Sequence, residues 1–348
     1  MNFKEIFLKL IEYTTPYGEE HELEPILTHL VPNIKKDLIG NYHYIIGKSE
    51  TLFTCHLDNY CKEKNKVNYI IEDNFITSDG NTILGADNKA GVCVLLYLIS
   101  RNVPGHYCFF IGEEPILSGG CYGSSLFAAR YKSINKYKRA IAFDRKGEGS
   151  IITRQMAQYC CSDEFADELV LRFFNENTYM FKDNTGYYTD TSSFLEKIPE
   201  CTNISIGVYD EHTNQEFVDL EYLEKIAVAA ANINWETLPS CREPKPWVED
   251  ELILEENGDD SDYMLFKLLS SKLSNFNFLC MNNYPFNKNK VMVFNNWFED
   301  FRLNITVRNS VIMVNNHELR IDYAELITIE QLKNIIILCN QDLINEYQ

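Results

Sequence analysis

Three short apolar runs in this chain stop on an ionisable residue: "TLFTCHLD" (51–58), "HYCFFIGEE" (106–114) and "AIAFD" (140–144). Runs of this length, rich in β-formers, read as buried strands. Between them lie stretches of helical character. Phe3, Ile6, Phe7, Leu10 and Ile11 recur at helical spacing, and "NTILGADNKAGVCVLLYLISR" (81–101) is a loop entering an apolar helix. "CYGSSLFAARY" (121–131) and "DLEYLEKIAVAAANINWETL" (219–238) also read as helices, and "TNISIGV" (202–208) as a further strand. Apolar strands alternating with helices predict an α/β fold, a sheet covered on both faces. "NYHYIIG" (41–47) and "KVNYIIEDNFITSDG" (66–80) add strands and turns.

In such a sheet, ligands gather beyond the carboxyl ends of the strands. The ionisable residues follow that rule. His56 and Asp58 close one strand, Glu113 and Glu114 another, Asp144 a third, and His212 follows "VYDE" (208–211) after a fourth. The adjacent pair Glu113–Glu114 is the sharpest of these signals. Neighbouring carboxylates repel, and burial worsens the repulsion. A chain keeps them where a cation or a proton shares the load.

The surface narrows the choice of partner. A formal net charge of −19 repels nucleic acid and anionic membrane. No stretch approaches the roughly 20 apolar residues of a membrane helix. Eleven cysteines occur without a CxxC spacing, and no signal peptide is evident; both point to a reducing cytoplasm. Cys55, Cys93 and Cys108 read as small core residues. His21, His29, His43, His106 and His317 fit no motif and read as surface or packing residues.

Past Pro239 the texture changes. Residues 1–240 form the candidate catalytic domain and 241–261 an acidic linker, with eight acidic and no basic residues between Glu249 and Asp262. Residues 262–348 read as a small α+β domain, with helices at 262–274 and 329–340 flanking β-like runs, and as a candidate surface for a protein partner.

Five segments now combine: "CHLD" (55–58), "LGADNKAG" (84–91), "IGEEPILSGG" (111–120), "AIAFD" and "EHTNQE" (211–216). Their order and context resemble the co-catalytic di-zinc exopeptidases, the zinc aminopeptidases and carboxypeptidases, and most closely the bacterial leucyl aminopeptidase-like branch. "GSSLFA" (123–128) is similar to the family's Gly-Ser-x-x-Phe-Ala, and "EHTNQE" to its His-Thr-x-x-Asp/Glu. The resemblance covers residues 1–238 and implies a three-layer α/β/α fold with a mixed sheet, of the zinc-peptidase type. It implies two divalent metal ions, zinc or else Co or Mn, bridged by Asp87. His56 and Asp144 complete one site; Glu114 and His212 complete the other. Asp58 orients the His56 imidazole, and Glu113 is the general base.

The implied reaction is metal-assisted amide hydrolysis of a peptide substrate, most simply by an aminopeptidase. A deacylase, a carboxypeptidase, an N-terminal cyclase or a non-catalytic binding relative remain alternatives. Only 30 residues separate His56 from Asp87, and 67 separate Asp144 from His212, so neither gap holds an inserted lid domain. In the family the loop at "TGYYTDTSSF" (185–194) contacts substrate, which makes Asp190 and Tyr188 (or Tyr187) candidate substrate-binding residues.

Overall fold

The computed structural model describes residues 2–114, 120–155 and 158–245, together with five backbone strands between 278 and 320. The chain divides into two compact units, Met1–Glu249 and Asp250–Gln348.

In chain order the first unit contains α1 (Phe3–Leu10), α2 (Glu24–Leu30), β1 (Lys35–Lys36), β2 (Tyr42–Ile46), β3 (Thr51–His56), β4 (Tyr69–Glu72), β5 (Phe75–Ser78), α3 (Ala86–Ser100), β6 (Gly105–Phe110), α4 (Tyr122–Arg130), β7 (Arg139–Arg145) and β8 (Ser150–Ile152). There follow β9 (Arg154–Gln155), β10 (Gln158–Tyr159), α5 (Asp163–Asn175), β11 (Phe181–Asp183), β12 (Glu200–Ser205), β13 (Val208–Tyr209), β14 (Phe217–Asp219) and α6 (Leu220–Asn232). The main sheet has eight strands in the order β1-β2-β6-β3-β7-β12-β8-β11. Its centre, β6-β3-β7-β12, is parallel, while β2 joins antiparallel at one side. The predicted mixed α/β sheet is thus the observed one.

The two faces are covered by different elements. Phe53 and Phe143 meet Trp235, beyond α6, on one face. Phe110 meets Phe127 of α4 and Phe194 on the other. Every residue of β3, β6 and β12 is buried, as strands sandwiched between helical layers require. Helix α3 is apolar nearly all round and buried nearly all round. Capping sets the helix starts. Asn2, Ser162 and Asp219 accept backbone N–H bonds from Glu5, Phe165 and Tyr222.

Two differences from the sequence reading matter for the site. Strand β6 ends at Phe110, so Glu113 and Glu114 stand in the loop beyond it, past a turn at Gly112 with φ +62°. His212 is delivered by a separate four-stranded antiparallel sheet, β13-β14-β5-β4. Helix α5, which the sequence reading passed over, packs through Phe165, Ala166, Leu169 and Phe173. Cys241 and Arg242, placed in the linker from sequence, hydrogen-bond through their backbone N–H to Glu200.

The second unit contributes β15 (Phe278–Cys280), β16 (Val291–Asn296), β17 (Phe301–Arg308), β18 (Val311–Val314) and β19 (His317–Arg320), an antiparallel meander in sequence order. The helices expected at 262–274 and 329–340, and the acidic run at 249–262, lie outside the described residues. Among the described residues no helix is long and apolar enough to cross a membrane.

Candidate metal centre

His56 closes β3 with its ring fully buried. Its Nδ1 lies 3.0 Å from the Asp58 carbonyl oxygen and 3.4 Å from the Asp58 carboxylate. Nδ1–H is therefore the donor, and Nε2 is the nitrogen turned toward the carboxylates of Asp87, Glu113 and Asp144. The Asp58 carboxylate does a second job. It accepts the backbone N–H groups of Glu113 and Glu114, each at 3.0 Å. One buried side chain thus ties the end of β3 to the loop beyond β6.

Asp87 opens α3, in a first turn where Asp87 and Asn88 have non-helical dihedrals. Its two oxygens face different imidazoles: Oδ1 lies 3.2 Å from His56 Nε2, and Oδ2 lies 3.1 Å from His212 Nε2. Glu114 Oε1 is 2.9 Å from His212 Nε2, and Asp144 Oδ1 is 3.3 Å from His56 Nε2. Two triads result, His56–Asp87–Asp144 and Asp87–Glu114–His212, sharing Asp87. All five sequence-selected ligands therefore meet in one cluster.

The cluster fits divalent cations. Metal bonds of about 2.0–2.2 Å at a tetrahedral angle set neighbouring donors about 3.3–3.6 Å apart; the contacts here, 2.9–3.3 Å, are a few tenths shorter. Asp144 Oδ1 is buried and has no hydrogen-bond partner, although it lies close to His56. A buried carboxylate oxygen in that state costs free energy unless a cation or a proton meets it. Its other oxygen accepts from Thr189 Oγ1 at 2.5 Å.

The electrostatics carry the same signature. Burial pushes the Asp144 carboxyl up to about 6 and the Glu114 carboxyl up to about 7, against the pull of the imidazoles. Glu113 is raised well above its ordinary range by burial, with the charges of Glu114 and Asp144 adding to it. Burial opposes a charge on His212, yet the Asp87 and Glu114 carboxylates hold its pKa up at about 11. Burial is the largest cause of the carboxyl shifts, and the surplus of carboxylates over imidazoles adds to it.

Glu113 belongs to neither triad built on Asp87. Its Oε2 stands 3.8 Å from His56 Nε2, and its Oε1 faces the Cys121 thiol at 3.6 Å. Asp190 is buried, and both of its carboxylate oxygens lack a hydrogen-bond partner; Ser124 stands near, outside hydrogen-bonding geometry. Burial raises its pKa to about 7. Tyr188 is half-buried against Gly120, and burial, together with Cys121 and Glu113, keeps its hydroxyl protonated. Tyr187 is exposed.

Several residues that hold this arrangement were not singled out from sequence. Fully buried Glu216 accepts the N–H of Gly85 at 2.7 Å and that of Asp87 at 2.9 Å. Asn59 Nδ2 donates to the carbonyls of Gly85 and Asp87, at 3.2 and 2.5 Å. Gly85 has φ +71°, and a Cβ there would lie 2.8 Å from Asn59 Oδ1, so only glycine fits. Asn203 Oδ1 accepts the Asp144 N–H at 2.9 Å. Tyr60 stacks on the His212 ring at 4.6 Å, and His212 itself has φ +66°.

No family model matches the chain, and no curated protein matches it in sequence. Solved structures do match. Aminopeptidase PepT from Bacillus cereus ATCC 10987 superposes with a TM-score of 0.56 at 16% identity, over 66% of this chain and 96% of that one. The dodecamer of PhTET1-12s gives 0.54 at 16% identity, over 66% and 98%. A tripeptidase from Staphylococcus aureus gives 0.51 at 15% identity, over 66% and 96%. Across 66% of its length, this chain has the fold of these peptidases.

Proposed function

We propose that this protein is a two-metal amide hydrolase acting on peptides, and specifically an aminopeptidase. One observation carries the reading: the two oxygens of Asp87 face two separate imidazole–carboxylate pairs, the arrangement a bridging ligand needs. His56, Asp87 and Asp144 would hold one ion, and Asp87, Glu114 and His212 the other. When bound, the ions would supply Lewis acidity to a water and to the scissile carbonyl.

Glu113 is the general base. Asp58 fixes its backbone, it stands outside both triads built on Asp87, and its carboxylate lies beside His56. It takes a proton from the attacking water and delivers it to the leaving amine nitrogen. The protonated Tyr188 hydroxyl donates to the oxygen that becomes negative in the transition state. Asp190, buried with both oxygens unpartnered, offers acceptors that favour a substrate with a free α-amine. Arg145, the cation next to Asp144, turns its Nη2 to Asp183 and Thr185.

Zinc is the proposed metal, from the donor set of two imidazoles and three carboxylates. Nine cysteines among the described residues are all unpaired, which supports a reducing compartment such as the cytoplasm. The deciding experiment pairs metal analysis with two substrates. Purified protein should hold two ions at the Asp87 cluster and cleave aminoacyl p-nitroanilides while leaving N-acetylated peptides intact. Cleavage of blocked substrates would instead make it a deacylase or cyclase. Two bound ions without turnover on a broad panel would make it a binding protein.

A further inference from the structure

Three more donors converge elsewhere on the main sheet. In the antiparallel register of β2 and β6, His43 lies directly opposite Cys108. His106 is two residues from Cys108 on β6, so all three side chains project from one face. His43 Nδ1 stands 3.2 Å from His106 Nε2 and 3.1 Å from Cys108 Sγ, and Cys108 Sγ is 3.5 Å from His106 Nε2. We infer that His43 Nδ1, His106 Nε2 and Cys108 Sγ form a further metal site, for one cation of the Zn2+ class, separate from the centre built on Asp87.

The remaining ring atoms support this. His43 Nε2 lies 2.9 Å from Asp37 Oδ2. Asp37 is itself fixed, its Oδ1 accepting the backbone N–H groups of Ile39, Gly40 and Asn41. A carboxylate accepts only, so His43 carries its proton on Nε2 and its lone pair on Nδ1. His106 Nδ1 is occupied by the Tyr137 hydroxyl. Both imidazoles therefore have an outer partner fixing the ring, as metal-ligating histidines do.

Hydrogen bonding alone leaves the inner side poorly matched. The single lone pair of His43 Nδ1 faces two neighbours at once, His106 and Cys108. A cation instead takes one lone pair from each of the three atoms. Bonds of about 2.1 Å to nitrogen and 2.3 Å to sulfur put donors about 3.3–3.6 Å apart, within a few tenths of the spacings here. Phe127 stacks on His43 at 5.3 Å, with Tyr131 stacked on Phe127, so aromatic rings cover one side of the cluster. On another side His106 and Tyr137 line a surface cavity of about 280 Å³. Two imidazoles with one thiolate suit a borderline cation such as Zn2+ and do not suit Mg2+ or Ca2+.

Sulfur makes the test independent of the Asp87 centre, whose donors are only nitrogen and oxygen. The full chain, stripped by a chelator, is titrated with Co2+ alone. A sulfur-to-cobalt charge-transfer band should appear in the near ultraviolet and reach, at saturating Co2+, the intensity of one cobalt–thiolate bond per chain. Cys108→Ser and His43→Gln should lose it, while His212→Ala and Cys61→Ser should keep it. No band in the wild-type chain at saturating Co2+ overturns the inference, and so does a band that survives in Cys108→Ser. Should Cys108→Ser not fold, X-ray absorption at the zinc edge of the wild-type chain decides: one sulfur shared over the bound zinc supports the site, and no sulfur overturns it. Peptidase activity plays no part in either readout.

Discussion

Glu216→Gln probes how the Asp87 loop is held. The Glu216 side chain is fully buried, and its two oxygens each accept one backbone N–H, from Gly85 and from Asp87. Burial pushes its pKa up to about 8, against the two backbone donors. Charged or neutral, the acid offers lone pairs on both oxygens. An amide offers them on one, and its NH2 would face an N–H. One buried donor is then unsatisfied, at a cost of about 1–3 kcal/mol. Gly85 cannot easily swing away, because Asn59 grips the carbonyls of Gly85 and Asp87. At about 2–4 °C per kcal/mol for a unit of this size, metal-free protein should melt roughly 3–10 °C lower. Asp87 serves both triads, so affinity for both ions should fall about 10–100-fold. Differential scanning calorimetry and competition with a chromophoric chelator read the two effects. A variant that melts within 1 °C of wild type, with both affinities unchanged, would refute the assignment.

Glu113→Gln should retain both ions and lower kcat on an aminoacyl p-nitroanilide about 10²–10⁴-fold; an unchanged kcat removes Glu113 from proton transfer. Thr189→Val deletes the hydroxyl that donates to Asp144 Oδ2 and should weaken one ion of the pair about 10-fold, the other staying within error in a calorimetric titration. Glu20 is buried, with one oxygen accepting the Gly18 N–H and the other lacking a partner. Burial raises its pKa, so the stability it permits is full below its unfolded value of about 4.3 and is lost as pH rises through the folded value. Urea denaturation of metal-free Glu20→Gln should therefore show a gain over wild type at pH 7 that closes toward pH 4. A gain independent of pH would contradict the titration.

Much of the fold is legible because burial on both faces writes itself as continuous apolar runs. "TLFTCH", "HYCFF" and "AIAF" announce β3, β6 and β7, and the apolar stretch 90–99 announces α3. Short edge elements leave no such trace. β1 is two exposed lysines, and β13 is two residues long, so neither has a period to detect. α5 did leave a signal, Ser162 as cap with Phe165, Leu169 and Phe173 at helical spacing. It is flanked by strands of two or three residues, which gave the alternation of strands and helices no foothold there.

The site divides along a similar line. Side chains that would touch a metal are conspicuous in sequence because His, Asp and Glu are costly at the ends of buried strands. The residues that aim them are not, because their work is done on backbone groups far away in the chain. Glu216 lies 131 residues from Gly85, and Asn203 lies 59 from Asp144. Only register brings such partners together. The His43–His106–Cys108 cluster makes the point most sharply. "HYC" shows from sequence alone that His106 and Cys108 share a face, provided the segment is a strand. That His43 joins them depends on its pairing with Cys108 across β2 and β6. A slip of one residue in that pairing would send the His43 imidazole to the opposite face, toward the layer that carries Phe53 and Trp235. The Asp37 carboxylate bonded to His43 Nε2 holds the ring on the observed face. Chemistry-bearing residue types can thus be read one at a time, while their assembly into a site is a property of the sheet.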